Sequence, residues 1–173
     1  MKWVAIAGVI LAGIGALALL VGSRLPPAHT VSDERTLAVA PEIVWKALTD
    51  VESFPSWRPD LKSVQRLPDR GGKLMWVEQG RSGKITFVQE RVEPPRLLVT
   101  RIADRALPFG GAWTYDIVPV EGGSRLRITE NGEIYNPIFR LMARYVFGYS
   151  ATIRSFLSAI EKHVGQLRTS RET

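Results

Sequence analysis

Turn-forming residues cut the middle of this chain at strand-length intervals, and a single helical pattern then runs almost to its end. Few folds satisfy both constraints. The cuts fall at Asp69-Arg70-Gly71-Gly72, at 80–83, at Pro94-Pro95, at 108–111 and at Glu121-Gly122-Gly123, all combinations that favour tight turns. They separate strand-like runs at 62–67, 74–79, 85–92, 97–104, 112–120 and 125–135. Connections this short join neighbouring strands antiparallel. Asn136-Pro137 then reads as a helix start, with Asn as N-cap and Pro in the first turn. From 138 to 167 the apolar and aromatic residues recur every three or four positions, through Tyr145, Tyr149, Phe156, Ile160 and Val164. This spacing predicts one long helix packed on the sheet. An apolar content of 45% is enough to bury one real core.

Residues 3–22 carry no charge and are almost entirely Ala, Val, Ile, Leu and Gly. Twenty helical residues span about 30 Å, the thickness of a bilayer core. Lys2 and Arg24 flank the run, Trp3 suits an interface, and Pro26-Pro27 stops the helix. An uncleaved anchor and a cleaved signal peptide are the main competing readings. The run exceeds the usual h-region of about 7–15 residues and no convincing small-x-small cleavage site follows it, which favours the anchor. A buried core helix would hardly need every face apolar. The expected organisation is therefore an anchor over 1–24, a linker over 25–35, a globular domain over 36–168 and a tail over 169–173. The protein is expected to be a single-pass membrane protein, with the side of the membrane left open. Gly8, Ala12, Gly13, Gly15 and Ala16 would permit a weak dimer through close helix approach. A linker this short keeps the domain near the bilayer, within reach of membrane lipids.

Residues 40–60 carry the most specific pattern. A short strand at 36–39 leads into Ala40-Pro41, and Ile43, Val44, Ala47 and Leu48 give the following helix one apolar face. A second short turn closes on Phe54-Pro55, Trp57 and Pro59. This resembles the N-terminal signature of the START/polyketide-cyclase (SRPBCC) superfamily, and the element order is similar over residues 36–167. The resemblance implies an α+β helix-grip fold, with about seven antiparallel strands curved around a long C-terminal helix and an apolar cavity. It also implies a hydrophobic or amphipathic ligand such as a lipid, an isoprenoid or a polyketide-like compound. The superfamily includes binders, transfer proteins, cyclases and hydrolases, so an enzyme of the cyclase/dehydratase type is the alternative. In the family a loop between strands often covers the cavity mouth, and Pro108-Phe109-Gly110-Gly111 resembles such a lid; a lone Phe beside glycines could equally insert shallowly into the membrane.

The chain lacks the usual hardware of catalysis. It has no cysteine, which removes thiol nucleophiles, thiolate metal sites and disulfides. There is no nucleophile elbow, phosphate loop, dinucleotide fingerprint or His-Glu-x-x-His, so neither a metal nor a cofactor is expected. A net charge of +6 suits anionic lipid. No basic block with interleaved aromatics speaks for nucleic acid. Of the two histidines, His29 falls in the expected linker, and His163 lies near the helix end, where a cation complements the dipole.

What remains is polar residues that alternation turns inward. Leu126, Ile128, Glu130, Gly132 and Ile134 share one strand face. Glu130 would therefore point toward the cavity or the helix, with Arg101 and Arg140 as candidate partners. It reads as a structural salt bridge, as an acid/base or ligand anchor, or, if a bulge intervenes, as an outward residue. Arg58 and Asp60 form a second candidate pair, unless Asp60 caps the turn instead, beside a Trp57 that either packs structurally or closes one end of the cavity. Trp76, Phe87, Trp113 and Tyr115 are strand aromatics able to line a cavity or to fill an ordinary core. Tyr145 and Tyr149 could turn their hydroxyls inward from the helix.

Overall fold

Every strand-like run becomes a strand, and alternation along the strands gives the sheet one apolar face. The computed structural model describes residues 2–81 and 83–172. Strands β1 (Ala28–Leu37), β2 (Leu61–Arg70), β3 (Lys73–Gly80), β4 (Gly83–Glu93), β5 (Leu97–Ile102), β6 (Phe109–Val120) and β7 (Gly123–Ile134) form one sheet. Its order is β1-β7-β6-β5-β4-β3-β2, antiparallel throughout. The chain crosses between the two edge strands, β1 and β2, through α2 (Pro41–Thr49), a 3-10 turn (Val51–Ser53) and α3 (Phe54–Trp57). Helix α2 starts at Pro41 and buries Val44, Ala47 and Leu48, the face its sequence marked.

The long helix is gripped as expected, but it is not continuous. Asn136 caps α4 (Pro137–Met142), its side chain accepting from the N–H groups of Ile138 and Phe139 at 2.9 and 3.2 Å. A π-helical turn (Ala143–Phe147) follows and ends at Gly148, whose φ of +72° breaks the helix. Glycine adopts that conformation without a Cβ clash. Helix α5 (Ala151–Glu172) then completes the fold and takes in the expected tail as far as Glu172, Thr173 lying outside the described residues. Its Ile153, Leu157, Ile160 and Val164 are almost fully buried against Leu37, Val39, Val44, Leu98, Ile117, Leu126 and Ile128. Burying each such side chain is worth about 1.5–3 kcal/mol. A second cluster of Val51, Phe54 and Trp76 seals the β2–β3 end of the sheet.

Two boundaries differ from expectation. Residues 28–35 are not linker. They pair with β7 from Ala28↔Glu133 to Leu37↔Ser124. The run hid its strand character because β1 is an edge, and its half-buried positions include His29, Asp33 and Arg35 rather than apolar residues alone. Phe109-Gly110-Gly111 is not a loop either, since it pairs with Ile134, Glu133 and Gly132.

Ahead of the sheet, α1 (Lys2–Arg24) is long and apolar enough to cross a membrane, and its apolar stretch is not buried in the domain. Its last turn abuts α4. A Cβ on Gly22 would lie 2.1 Å from the Pro137 carbonyl oxygen, so only glycine permits this approach. Arg140 donates to the Leu25 carbonyl at 2.8 Å and to the Gly22 carbonyl at 3.4 Å, capping the negative end of α1.

Leu157 sits at the centre of the helix–sheet contact with 0% exposure. Leu157→Ala should lower the unfolding free energy by about 2–5 kcal/mol in urea titrations, whereas Leu157→Met should cost less than about 1.5 kcal/mol.

Candidate functional site

Where the helix breaks, the concave face of the sheet is left uncovered. A cavity of about 550 Å³ opens there, within the range typical of small-molecule sites. Apolar side chains from β4 to β7 (Ile85, Phe87, Ile102, Phe109, Trp113, Ile134) form its walls, and Phe139, Met142 and Tyr149 close it from the broken helix. A smaller chamber of about 80 Å³ continues inward and adds Trp76, Thr100, Tyr115 and Phe156. Arg58, Glu78, Phe87, Trp113 and Thr152 line both.

Two polar clusters punctuate these walls. In the first, Arg58 leaves α3 and turns inward between the rings of Phe54 and Phe156, 5.4 and 5.2 Å from its Cζ. It donates to Glu78 at 3.0 Å and to Asp60 at 2.9 Å. The Trp76 indole N–H donates to the same Glu78 oxygen at 3.0 Å. Burial pulls the Arg58 pKa down, but Glu78 and Asp60 outweigh it and the guanidinium holds its proton more tightly than usual. Tyr115 lies beside this cluster, and burial pushes its hydroxyl up to about 12. It therefore stays protonated, as a neutral hydrogen-bonding group.

In the second cluster, Glu130 accepts from the Trp113 indole N–H at 3.1 Å and faces His29 Nε2 at 3.5 Å. The His29 ring is held from two sides. It stacks on Tyr149 with centroids 4.0 Å apart, and it lies over Gly132, where a Cβ would sit 2.3 Å from its Cε1. Burial raises the Glu130 carboxyl above the ordinary carboxylate range, opposed by the Trp113 hydrogen bond and by His29.

The structure thus brings together Arg58, Asp60, Trp76, Phe87, Trp113, Tyr115, Glu130 and Tyr149. Five expectations need correction. Arg101 is on the outer face of β5 and donates to Glu90 at 2.6 Å. Arg140 serves the carbonyls of Gly22, Leu25 and Tyr135, not Glu130. Tyr145 projects from the π-helical turn and is exposed. Trp57 lies behind the cavity, edge-on to Phe54 and Phe156 and stacked on His163 at 5.2 Å. His163 falls within α5 rather than at its end, and partial burial lowers its pKa. Two site residues went unrecognised in the sequence. Glu78 shares its strand face with Trp76, so period two could have found it. His29 was hidden in the polar edge strand. Among the described residues, no group of three or more His, Cys, Asp or Glu side chains is placed to hold a metal ion.

Comparison with known proteins agrees with this fold. The profile of the polyketide cyclase / dehydrase and lipid transport family matches residues 28–165, starting at the first residue of β1. No curated protein sequence matches the chain. Among solved structures, a START superfamily protein from Mycobacterium smegmatis superposes with a TM-score of 0.61 at 20% identity, covering 80% of this chain and 99% of that one. Norcoclaurine synthase from Thalictrum flavum, in complex with dopamine and hydroxybenzaldehyde, gives 0.64 at 12% identity, with 80% and 87% covered. The di-domain ARO/CYC StfQ from the steffimycin biosynthetic pathway gives 0.59 at 14% identity. The match covers 80% of this chain but only 52% of StfQ, about half its length. At these identities the likeness is one of fold.

Two outcomes follow from the electrostatics. The folded state holds the Glu130 proton more tightly than the unfolded chain does. Its contribution to stability is therefore largest at low pH and is lost as pH rises through the folded pKa. Glu130→Gln keeps an acceptor for Trp113 but cannot ionise. Relative to the wild type it should gain stability as pH rises from about 4 toward neutrality, read by urea unfolding at a series of pH values; a pH-independent difference would contradict this. Arg58→Ala strands Glu78 in a buried site and should cost about 3–5 kcal/mol by the same measurement.

Proposed function

The chain belongs to the polyketide cyclase / dehydrase and lipid transport family, and we propose that this member is a membrane-tethered binding domain for an amphipathic small molecule. A lipid, an isoprenoid or a polyketide-like compound fits the description. The observation that carries the reading is the cavity itself, about 550 Å³ with apolar walls and a few converging polar groups. Helix α1, with no apolar stretch buried in the domain, supports the tether. Only 25–27 separate it from β1, so the cavity stays close to the bilayer.

The charges inside narrow the ligand's polar end. The Arg58 guanidinium is already paired with Glu78 and Asp60, and Glu130 faces His29. A carboxylate has about four lone-pair sites, and Glu78 uses a single oxygen for both of its bonds. The site therefore offers acceptors and keeps the Arg58 guanidinium for its own carboxylates. A hydroxyl or an amine suits it, whereas a fatty-acid carboxylate would face four acids, Asp60, Glu78, Glu130 and Glu133, with Arg58 already paired and Arg81 exposed to solvent.

A second reading, an enzyme of the cyclase/dehydratase type, draws on one specific observation. Glu130 combines a raised pKa, a cavity position and a neighbouring histidine, the attributes of a general acid/base.

Native mass spectrometry of the full chain, released gently from lipid nanodiscs, tests both readings. The binding reading expects a retained small molecule, displaced by long-chain alcohols and amines more readily than by the matching carboxylic acids. Under the enzymatic reading, Glu130→Gln would hold a compound differing from the wild-type adduct by the mass of a water. A chain that retains nothing and takes up none of the amphiphiles would refute the binding function.

A further inference from the structure

The segment that closes the cavity has an outer face that nothing in the domain covers. Tyr135, Ile138, Phe139, Tyr145 and Val146 are between 42% and 68% exposed, in a stretch of only twelve residues (135–146). Isolated exposed apolar residues need no explanation, but a contiguous group marks a contact surface. Its place in the fold says which surface. The patch begins where α1 ends, since Gly22 abuts Pro137 and Arg140 grips the Gly22 and Leu25 carbonyls. Ten residues of helix, 137–146, reach no more than about 15 Å from that point. The exposed apolar α1 ends there with Arg24 and Pro26-Pro27, the residues expected at a membrane–water boundary.

We infer that the outer face of α4 and the π-helical turn is seated in the headgroup layer of the membrane that α1 crosses, so that the cavity opens onto lipid rather than onto water. The inference rests on the tether reading of α1 and adds a second, independent point of contact. The chemistry of the segment fits this occupant. Two tyrosines are suited to the interface, Ile138 and Val146 supply an apolar surface for shallow insertion, and the exposed Arg144 meets anionic headgroups. The same segment also lines the cavity, through Phe139, Met142 and Ala143. One short element thus carries both the exposed apolar patch and part of the cavity wall, with half-exposed Phe139 belonging to both and the Gly148 break beside it. An amphiphile would pass from the bilayer past Phe139 into the cavity without crossing water.

Because the chain has no cysteine, single labels can be placed cleanly. The full chain is reconstituted in phosphatidylcholine/phosphatidylglycerol vesicles carrying doxyl-labelled acyl chains. A nitrobenzoxadiazole probe is attached in turn at Val146→Cys, at Leu11→Cys within α1, and at Glu121→Cys on the β6–β7 turn at the far end of the sheet. The inference expects blue-shifted emission and lipid quenching at 146 and at 11, with neither at 121. Quenching at 11 together with full accessibility of 146 to aqueous iodide would overturn the inference and leave the tether intact. If 11 is not quenched by lipid, tether and inference fall together. Protection of 146 from iodide without lipid quenching would assign the patch to a second copy of the chain or another protein, and would overturn the inference too.

Discussion

One helix has to cover the concave face of seven strands, and it covers only part of it. Where α5 lies against the sheet, Ile153, Leu157, Ile160 and Val164 fill the space with close-packed core. Where the helix breaks at Gly148, the sheet continues through Phe109 and Ile134 with no helix directly on it. The cavity is that shortfall. Its size, its apolar walls and its position at the α1 end of the domain all follow from the place where the helix stops gripping.

The polar groups inside are tolerable because they satisfy one another. A lone guanidinium or carboxylate at this depth would be costly, yet Arg58, Glu78 and Asp60 form a closed set braced by the Trp76 N–H. Glu130 is held differently, by one indole and one imidazole. That difference separates their roles. The first cluster fixes the inner wall and ties α3 to β3. The second is lightly paired, faces the larger volume, and is anchored to the broken helix through the His29–Tyr149 stack, so it is the more responsive to a bound molecule.

Much of this arrangement was legible in the sequence, and the failures share a cause. Turn residues at strand-length intervals located β2 to β7, and the Asn136-Pro137 signal located the helix start, because turn and capping chemistry are both local. Edge strand β1 escaped notice because His29, Asp33 and Arg35 occupy inward positions, which erases the alternation. The helix break escaped notice because the apolar spacing runs on across it, and a single glycine carries little weight in such a window. Candidate residues on central strands, such as Trp113 and Glu130, fell where alternation put them. Arg101 did not, because its own strand already turned Leu98, Thr100 and Ile102 to the inside, and the odd positions were therefore outward. Pairings across distant elements, such as Arg140 with the end of α1, are invisible to any local pattern.

The most direct test of the central claim, that the cavity is the binding site, uses the chain's own indoles. Trp76 and Trp113 donate their N–H groups to carboxylates in the cavity wall, whereas Trp45 and Trp57 do not line it. Indole N–H resonances of the full chain in nanodiscs should be followed during titration with a long-chain alcohol. Saturable shifts at Trp76 and Trp113, with Trp45 and Trp57 unmoved, are the expected result. Unmoved Trp76 and Trp113 resonances at saturating alcohol, or equal shifts at all four, would contradict it.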